Sequence, residues 1–482
     1  MMGLSDILRV VNPLAMTGPQ RNPTAPLTDD SRLLRPGGVF IAVKGRSSDG
    51  HAHIEASIRN GASVVIAERF DGDPGEATVI LVADTRRALM PLALAWYGEP
   101  QADLVLTGVT GTNGKTTVTT LIWQVMRRLG VPAALIGTIE KRIGDHVREA
   151  RLTTPGAMEL AEDLRAAADA GCRHVVMEVS SHALDQRRTG GLDFAVGVFT
   201  NLTHDHLDYH KTFAAYARAK KRLFSGMRST GTAILNSDDP SGGFMAKGIK
   251  PVVWDVSMTD GTLRVLRHSL EGLVLDLDGT ILSSPLVGRF NAMNLAQAFL
   301  ACVALGLNRD SVAAALAEAT GAAGRLERVP IAGHGPTVFV DYAHTPDALR
   351  NVLTTLAELR TPDQRLHCVF GCGGDRDATK RPMMAAIAGS LADRVVITSD
   401  NPRFEDPDAI LDDIQSGFET LSHVDRVVDR ETAIRQAIAA AAAADIVLIA
   451  GKGHETYQEI RGVRHDMDDR LIAGDALNRR AS

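Results

Sequence analysis

An apolar run at Leu104–Val109 leads into Gly111, Thr112, Asn113, Gly114, Lys115, Thr116 and Thr117. Behind it Val118, Leu121, Ile122, Val125, Met126 and Leu129 recur at the spacing of one helix face, until Gly130 and Pro132 stop the pattern. Strand, glycine turn and helix in that order form the context of a nucleotide-binding loop. Glycines let backbone N–H groups approach a phosphate, and the helix adds the positive end of its dipole. Lys115 is then placed to reach β- and γ-phosphates, and the Thr116 hydroxyl to ligate Mg²⁺. The loop is a variant. The common pattern has a glycine five residues before Gly114, where this chain has Val109, with glycines at 108 and 111 instead. A plain glycine-rich turn is the bland alternative, and the flanking strand and helix weigh against it.

The 482 residues predict two to four domains at roughly 150 residues each. With 45% hydrophobic and 23% charged residues, each domain has enough apolar material for its own core. A net charge of −6 argues against non-specific nucleic-acid binding, so positive charge for anionic ligands must be placed locally. Cys172, Cys302, Cys368 and Cys372 are too few and too scattered for a disulfide framework or a zinc site, and predict reduced thiols in a cytoplasmic protein. The N-terminal Met-Met-Gly-Leu-Ser-Asp has no secretory character. The longest apolar stretch, Ala437 to Ala450, is broken by Asp445 and reads as a helix end running into a strand, so no membrane span is expected.

Residues 1–97 carry short apolar runs (Val39–Val43, Ser63–Ala67, Thr78–Val82) and predict a small α/β domain, with Tyr97-Gly98-Glu99-Pro100 as linker. Residues 98–329 hold the nucleotide loop and further buried strands at His174–Val179 and Ala195–Thr200, as in a mostly parallel sheet. Residues 330–482 show four apolar runs, each ending in a polar cluster. Thr337–Val340 runs into Asp-Tyr-Ala-His (341–344), and His367–Phe370 into Gly-Cys-Gly-Gly-Asp-Arg-Asp (371–377). Arg394–Thr398 runs into Ser-Asp-Asn-Pro-Arg (399–403), and Ile446–Ala450 into Gly-Lys-Gly-His-Glu (451–455). Open α/β sheets bind ligands beyond the carboxyl ends of their strands, so this third segment carries a ligand face. The expected class is α/β in three domains, the central one of nucleotide-loop type and the last Rossmann-like. A dinucleotide-binding dehydrogenase is excluded, because Arg376 occupies the last glycine position the fingerprint requires after Gly371.

Two further clusters follow strands: Met-Glu-Val-Ser-Ser-His (177–182) and Asn-Leu-Thr-His-Asp-His-Leu-Asp-Tyr-His (201–210). A carboxylate and imidazoles beside a nucleotide loop suit a metal that bridges phosphate and substrate oxygens. Glu178 alone reads equally as a surface acid, whereas His204, His206 and His210 with Asp205 and Asp208 form a denser group. Lys220 and Lys221, on a predicted helix over 213–227, read by composition as a solvated pair.

These motifs together resemble the Mur ligases, which build the peptide of bacterial cell-wall precursors. The likeness rests on Gly-x-Thr-Gly-Thr-Asn-Gly-Lys-Thr-Thr (108–117), Glu-Val-Ser-Ser-His (178–182), Asn-Leu-Thr-x-Asp-His-Leu-Asp-Tyr-His (201–210) and Tyr-x-x-Ala-Lys-x-x-Leu-Phe (216–224). Phe-Asn-x-x-Asn (290–294) and Gly-Arg-Leu-Glu (324–327) extend it, so the anchors run in order across nearly the whole chain. Asp-Ser-Arg (30–32), Thr-Thr-Pro (153–155) and the Asp-Asn-Pro-Arg set (400–403) resemble the members that act on UDP-N-acetylmuramoyl-L-alanyl-D-glutamate and add meso-2,6-diaminopimelate; lysine-adding members differ at the last motif. One departure is Leu152, where several relatives carry Asn.

The resemblance implies an ADP-forming acid–amino-acid ligase of peptidoglycan synthesis, which serves cell shape and division. ATP phosphorylates the D-glutamyl side-chain carboxylate, and the amino acid's amine then displaces phosphate. It implies ATP contacts at 111–117 with Asn294, Arg325 and Asp341, and Mg²⁺, as two ions, at Thr116, Glu178, His206 and Lys220. It further implies that Lys220 carries a CO₂-derived carbamate and acts catalytically with Lys115 and His206. Ser31, Thr153, Thr154, Ser180, Gln186 and Arg188 are implied for the UDP-muramoyl dipeptide, and Arg376, Asp400, Asn401, Pro402, Arg403, Gly451 and Glu455 for diaminopimelate. The expected partners are these small molecules alone, taken by a cytoplasmic monomer. The competing readings are the same step with L-lysine, a folylpolyglutamate synthetase, which should lack the Asp-Ser-Arg and Asp-Asn-Pro-Arg motifs, and a nucleotide-driven switch or motor.

Overall fold

The computed structural model describes residues 2–45, 48–331 and 333–481. The chain divides into two compact units, Met1–Thr259 with Gln297–Val312, and Asp260–Ala296 with Ala313–Ser482. The architecture is α/β with mostly parallel sheets.

The first unit holds two sheets. A five-stranded one runs in the order Ala15–Thr17, Thr78–Leu81, Val64–Ala67, Val39–Ile41, Leu27–Thr28, with only the first pair antiparallel. The eight-stranded sheet is parallel through Val252–Val256, Thr232–Asn236, Phe194–Phe199, Val105–Thr110, His174–Glu178 and Ala133–Ile136, and ends in the antiparallel strands Glu140–Ile143 and His146–Glu149. Its central strands are apolar on both faces, because helices cover both. Val105–Thr110 lies between Phe194–Phe199 and His174–Glu178, and the helix Lys115–Arg128 returns over the sheet and buries Val118, Leu121, Ile122 and Val125. The glycine loop, Glu178 and residues 200–203 therefore open at one end of adjacent strands.

In the second unit a three-stranded antiparallel sheet covers Leu263–Ser269, Gly272–Leu277 and Thr280–Ser284. A six-stranded sheet runs Glu327–Arg328, Thr337–Asp341, Ile446–Ala450, Leu366–Phe370, Arg394–Ile397, Val424–Arg426, parallel except for the first pair. Leu349, Leu353, Met384 and Ile410 pack on one face, and Ile434, Ile438 and Leu477 on the other.

The edge hairpin over 140–149 shows no apolar run in the sequence: its strands are short and rich in charge, and His146–Glu149 is exposed throughout. In the sheet over 263–284 the central strand Gly272–Leu277 is buried along nearly its whole length. All four cysteines are free and buried. No helix among the described residues is long and apolar enough to cross a membrane.

Candidate functional site

Gly111 has a φ of +155°, and a Cβ there would stand 1.8 Å from Thr200 Oγ1, so the turn closes only on glycine. The segment after the neighbouring strand holds the loop. Thr200 Oγ1 donates to Asn113 O (2.6 Å), Asn113 N donates to Asn201 Oδ1 (2.9 Å), and Thr112 Oγ1 meets Tyr216 OH (3.1 Å). Lys115 opens the helix and curls back, its Nζ donating to Gly111 O (2.9 Å) and Thr112 O (2.8 Å). Thr116 Oγ1 donates to Glu178 Oε2 (3.1 Å). Glu178 also accepts from Thr138 N (2.7 Å) and Thr138 Oγ1 (3.0 Å), and is fully buried at its strand end. Thr117 is buried in the helix's first turn.

Lys220 is not a solvated lysine. It is 1% exposed, and its Nζ donates to the same Gly111 oxygen that Lys115 uses, at 2.6 Å. Burial, and then the nearby Lys115 charge, push its pKa well below the usual lysine value. Lys221, next on the helix, points elsewhere: its Nζ donates to Phe244 O (2.7 Å) and sits 4.5 Å over the Phe244 ring. The composition-level reading of a solvated pair thus fails for Lys220, because a helix turns adjacent residues to different faces.

The histidines pack as rings. His182 lies 4.9 Å from His206, 5.5 Å from His210 and 4.2 Å from Tyr209, and His210 Nε2 meets Ser181 Oγ at 3.0 Å. Burial lowers the pKa of all three, that of His182 to about 4, which favours the neutral form of the rings. Among the described residues no group of three or more His, Cys, Asp or Glu converges as a metal cage. His206 and His210 of the 204–210 cluster thus pack with His182 and Tyr209 as rings, while Thr116 and Glu178 present hard oxygens of the type Mg²⁺ takes.

Beside this centre, within the same unit, lies a cavity of about 710 Å³ lined by Asp29, Ser31, Leu152, Gln186, Arg188 and Tyr209, among others. Arg188 donates to Gln186 Oε1 (2.6 Å) and Thr154 O (2.9 Å), while Thr154 Oγ1 donates to Glu178 O (2.9 Å) and meets Ser180 Oγ at 3.3 Å. Thr153 Oγ1 meets Thr138 Oγ1 at 3.1 Å. One chain of hydrogen bonds thus links the cavity wall to the backbone carbonyl of Glu178, the residue whose carboxylate lies behind the glycine loop. Asp29, which the sequence did not single out, has its carboxyl pushed up by burial, with Arg188 opposing.

In the second unit the polar clusters do sit at the carboxyl ends of parallel strands. Buried Asp341 accepts from Leu326 N (2.6 Å) and Ala343 N (2.8 Å), and burial raises its pKa against the pull of Arg325. Arg325 stacks 5.0 Å from the Tyr342 ring, and its Nε is buried with no partner. Asn294 Nδ2 donates to Asn291 Oδ1 (2.9 Å). Asp400 and Asn401 are buried, and Asn401 Nδ2 donates to Glu455 Oε2 at 2.8 Å. Pro402 precedes Arg403, which adopts a left-handed φ of +53° and donates from Nη1 to Gly374 O at 2.7 Å. Its Nε lies 3.5 Å from Glu459 Oε2. Gly451 has a φ of +117°, and Arg376 is exposed. Glu459 and Lys452 escaped the reading of the sequence. The available signal was a lysine immediately behind a strand buried throughout, where no solvent awaits its charge.

Residues 109–302 match the Mur ligase middle domain, and residues 324–453 the Mur ligase glutamate ligase domain. A protein of Cytophaga hutchinsonii named UDP-N-acetylmuramoyl-L-alanyl-D-glutamate–2,6-diaminopimelate ligase is 43% identical over 99% of both chains. Its namesake in Chromobacterium violaceum is 44% identical over 93% of both. A solved structure of a ligase with that name superposes with a TM-score of 0.73 at 34% identity, covering 100% of each chain.

Proposed function

Because this chain belongs to the Mur ligase family, we propose that it joins meso-2,6-diaminopimelate to UDP-N-acetylmuramoyl-L-alanyl-D-glutamate as an ATP-dependent, ADP-forming amide ligase. The observation that carries the reading is the meeting of Lys115 and Lys220 on one loop carbonyl, with Thr116 on Glu178, beside a cavity large enough for a nucleotide sugar. The full-length likeness to the named relatives weighs against a folylpolyglutamate synthetase.

The division of labour follows. Residues 1–97 and the cavity take the UDP-sugar peptide, 98–329 the ATP, and 330–482 the amino acid, in a cytoplasmic monomer. The D-glutamyl side-chain carboxylate attacks the γ-phosphorus, the bond to the bridging oxygen of ADP breaks, and an acyl phosphate forms. The diaminopimelate amine then attacks the acyl carbon, loses a proton, and phosphate leaves as the C–N bond closes. Two anions, the carboxylate and ATP, must meet in the first step, so catalysis rests on positioning and charge neutralisation. Lys115 supplies a fixed cation at the transferred phosphoryl group. Thr116, Glu178 and His206 would hold Mg²⁺, which neutralises phosphate charge when bound.

Lys220 takes a further part in this reading. The likeness to the family implies that this lysine adds to CO₂ as a carbamate, releasing one proton, and burial supports that reading because it lowers the amine's pKa and so favours the neutral, nucleophilic form. Lys220→Ala should lower turnover by about 10²-fold or more, and added small carboxylic acids should restore part of it. Lys221→Ala should keep its activity, because that side chain only fastens the Gly242–Ala246 helix. Folded, active enzyme equilibrated with ¹³C-bicarbonate that shows no carbamate carbon resonance would count against the carbamate. The overall function is tested by product analysis with the UDP-dipeptide, ATP and each candidate amino acid. ATP consumption that needs no amino acid would sink the ligase reading.

A further inference from the structure

Lys452 stands between two side chains assigned above to the amino-acid substrate, yet is itself 0% exposed. Its Nζ donates to Asn401 Oδ1 at 3.0 Å and to Glu455 Oε2 at 3.1 Å, and lies 5.4 Å from the Tyr457 ring centre. Glu459 N gives Asn401 Oδ1 a second donor at 2.9 Å, which occupies both lone pairs of that oxygen. The amide can then face only one way, with Nδ2 donating to Glu455 Oε2 at 2.8 Å. Glu455 Oε2 therefore receives both Lys452 and Asn401. What remains without a partner among the described residues is the second N–H of Asn401 and Glu455 Oε1. One donor and one anionic acceptor side by side match the carboxylate and ammonium of an α-amino-acid head.

We propose that Lys452 is a positioning residue for the amino-acid substrate, holding the Asn401 amide and the Glu455 carboxylate in the one orientation that receives a zwitterionic head. The proposal rests on the function assigned above. Lys452 touches no substrate, because no part of it is exposed. It acts through its charge, which keeps a carboxylate only 18% exposed from turning out to solvent. The backbone on either side is pinned independently. Arg430, buried and paired with Asp469, donates to Ser399 O (3.3 Å) and Ala450 O (3.0 Å), at the roots of the two loops. Loss of the Lys452 ammonium therefore alters side-chain orientation rather than loop position.

The test is steady-state kinetics of the full-length enzyme carrying Lys452→Met, with each of the three substrates varied in turn and thermal unfolding recorded alongside. The KM for diaminopimelate should rise about 10-fold or more, the loss expected of a charged hydrogen bond. KM for ATP and for the UDP-dipeptide, and kcat at saturating diaminopimelate, should stay within about threefold. If Lys452→Met does not fold, Lys452→Arg, which keeps the charge but shifts it, is read by the same split. A diaminopimelate KM that does not move, or a rise shared equally by all three substrates, overturns the proposal. If the unmodified enzyme forms no product with diaminopimelate, the function itself is wrong, and that outcome is separately visible.

Discussion

Lys115→Ala is expected to leave a folded protein that forms almost no product. The side chain opens the helix and lies back over the loop, its Nζ on Gly111 O and Thr112 O. Losing these two bonds costs about 1–3 kcal/mol, a fraction of a domain's stability. The loop keeps its shape without them, because Thr200 and Asn201 hold Asn113 and Tyr216 holds Thr112. The catalytic loss is far larger. A fixed cation aimed at the transferred phosphoryl group stabilises charge that grows in the transition state, and its removal should lower kcat by about 10³-fold. Lys115→Arg should recover little, since a planar fork does not replace a compact ammonium curled over a backbone turn. The measurement is phosphate release together with a circular-dichroism melt. Turnover within about tenfold of the unmodified enzyme, in a variant with a normal melt, would remove Lys115 from the phosphate site.

The parts of this molecule that were legible in the sequence are those set by local pattern. The strand before the glycine loop was expected at 104–109 and lies at Val105–Thr110, and the helix behind it ends at Arg128, just before Gly130. The four strand-end clusters of the second unit fell where apolar runs gave way to polar residues, because a buried parallel strand has no polar positions to spare. Strand order was not legible. Ile446–Ala450 inserts between Thr337–Asp341 and Leu366–Phe370, which only long-range packing decides. Pairings of that range explain what was missed in the site. Lys452 and Asn401 are 51 residues apart, and the local signal, a lysine just beyond a buried strand, does not say which acceptor it finds. Lys220 is the opposite case. Composition made it a surface charge, the family motif implied a role for it, and the structure buries it beneath the loop with its Nζ on Gly111 O.

Arg403 should decide which amino acid is used. Diaminopimelate differs from lysine by a carboxylate at its far end, and a guanidinium meets a carboxylate with two parallel hydrogen bonds. From the sequence, an arginine stranded by lysine implies rejection by roughly 10⁴-fold, as when a buried polar group loses its only partner. The structure lowers that figure. Arg403 donates to Gly374 O at 2.7 Å and lies 3.5 Å from Glu459, so with lysine bound it still has partners. Discrimination then reflects the gain of a charge-assisted pair over those retained contacts, about 10²–10³-fold in kcat/KM. The backbone is fixed apart from the side chain: Arg403 N donates to Glu459 O, Arg461 N donates to Arg403 O, and the left-handed φ of +53° is as strained for alanine as for arginine. Arg403→Ala should therefore fold normally, lose most of its preference for diaminopimelate over L-lysine, and keep its KM for ATP within about twofold. Arg403→Lys should fall between, with charge but no fork. The check is kcat/KM for both amino acids in all three enzymes. Equal use of L-lysine by the unmodified enzyme would refute the specificity while leaving the ligase chemistry intact, and an ATP KM that rises in step with that for diaminopimelate would place Arg403 in a general structural role.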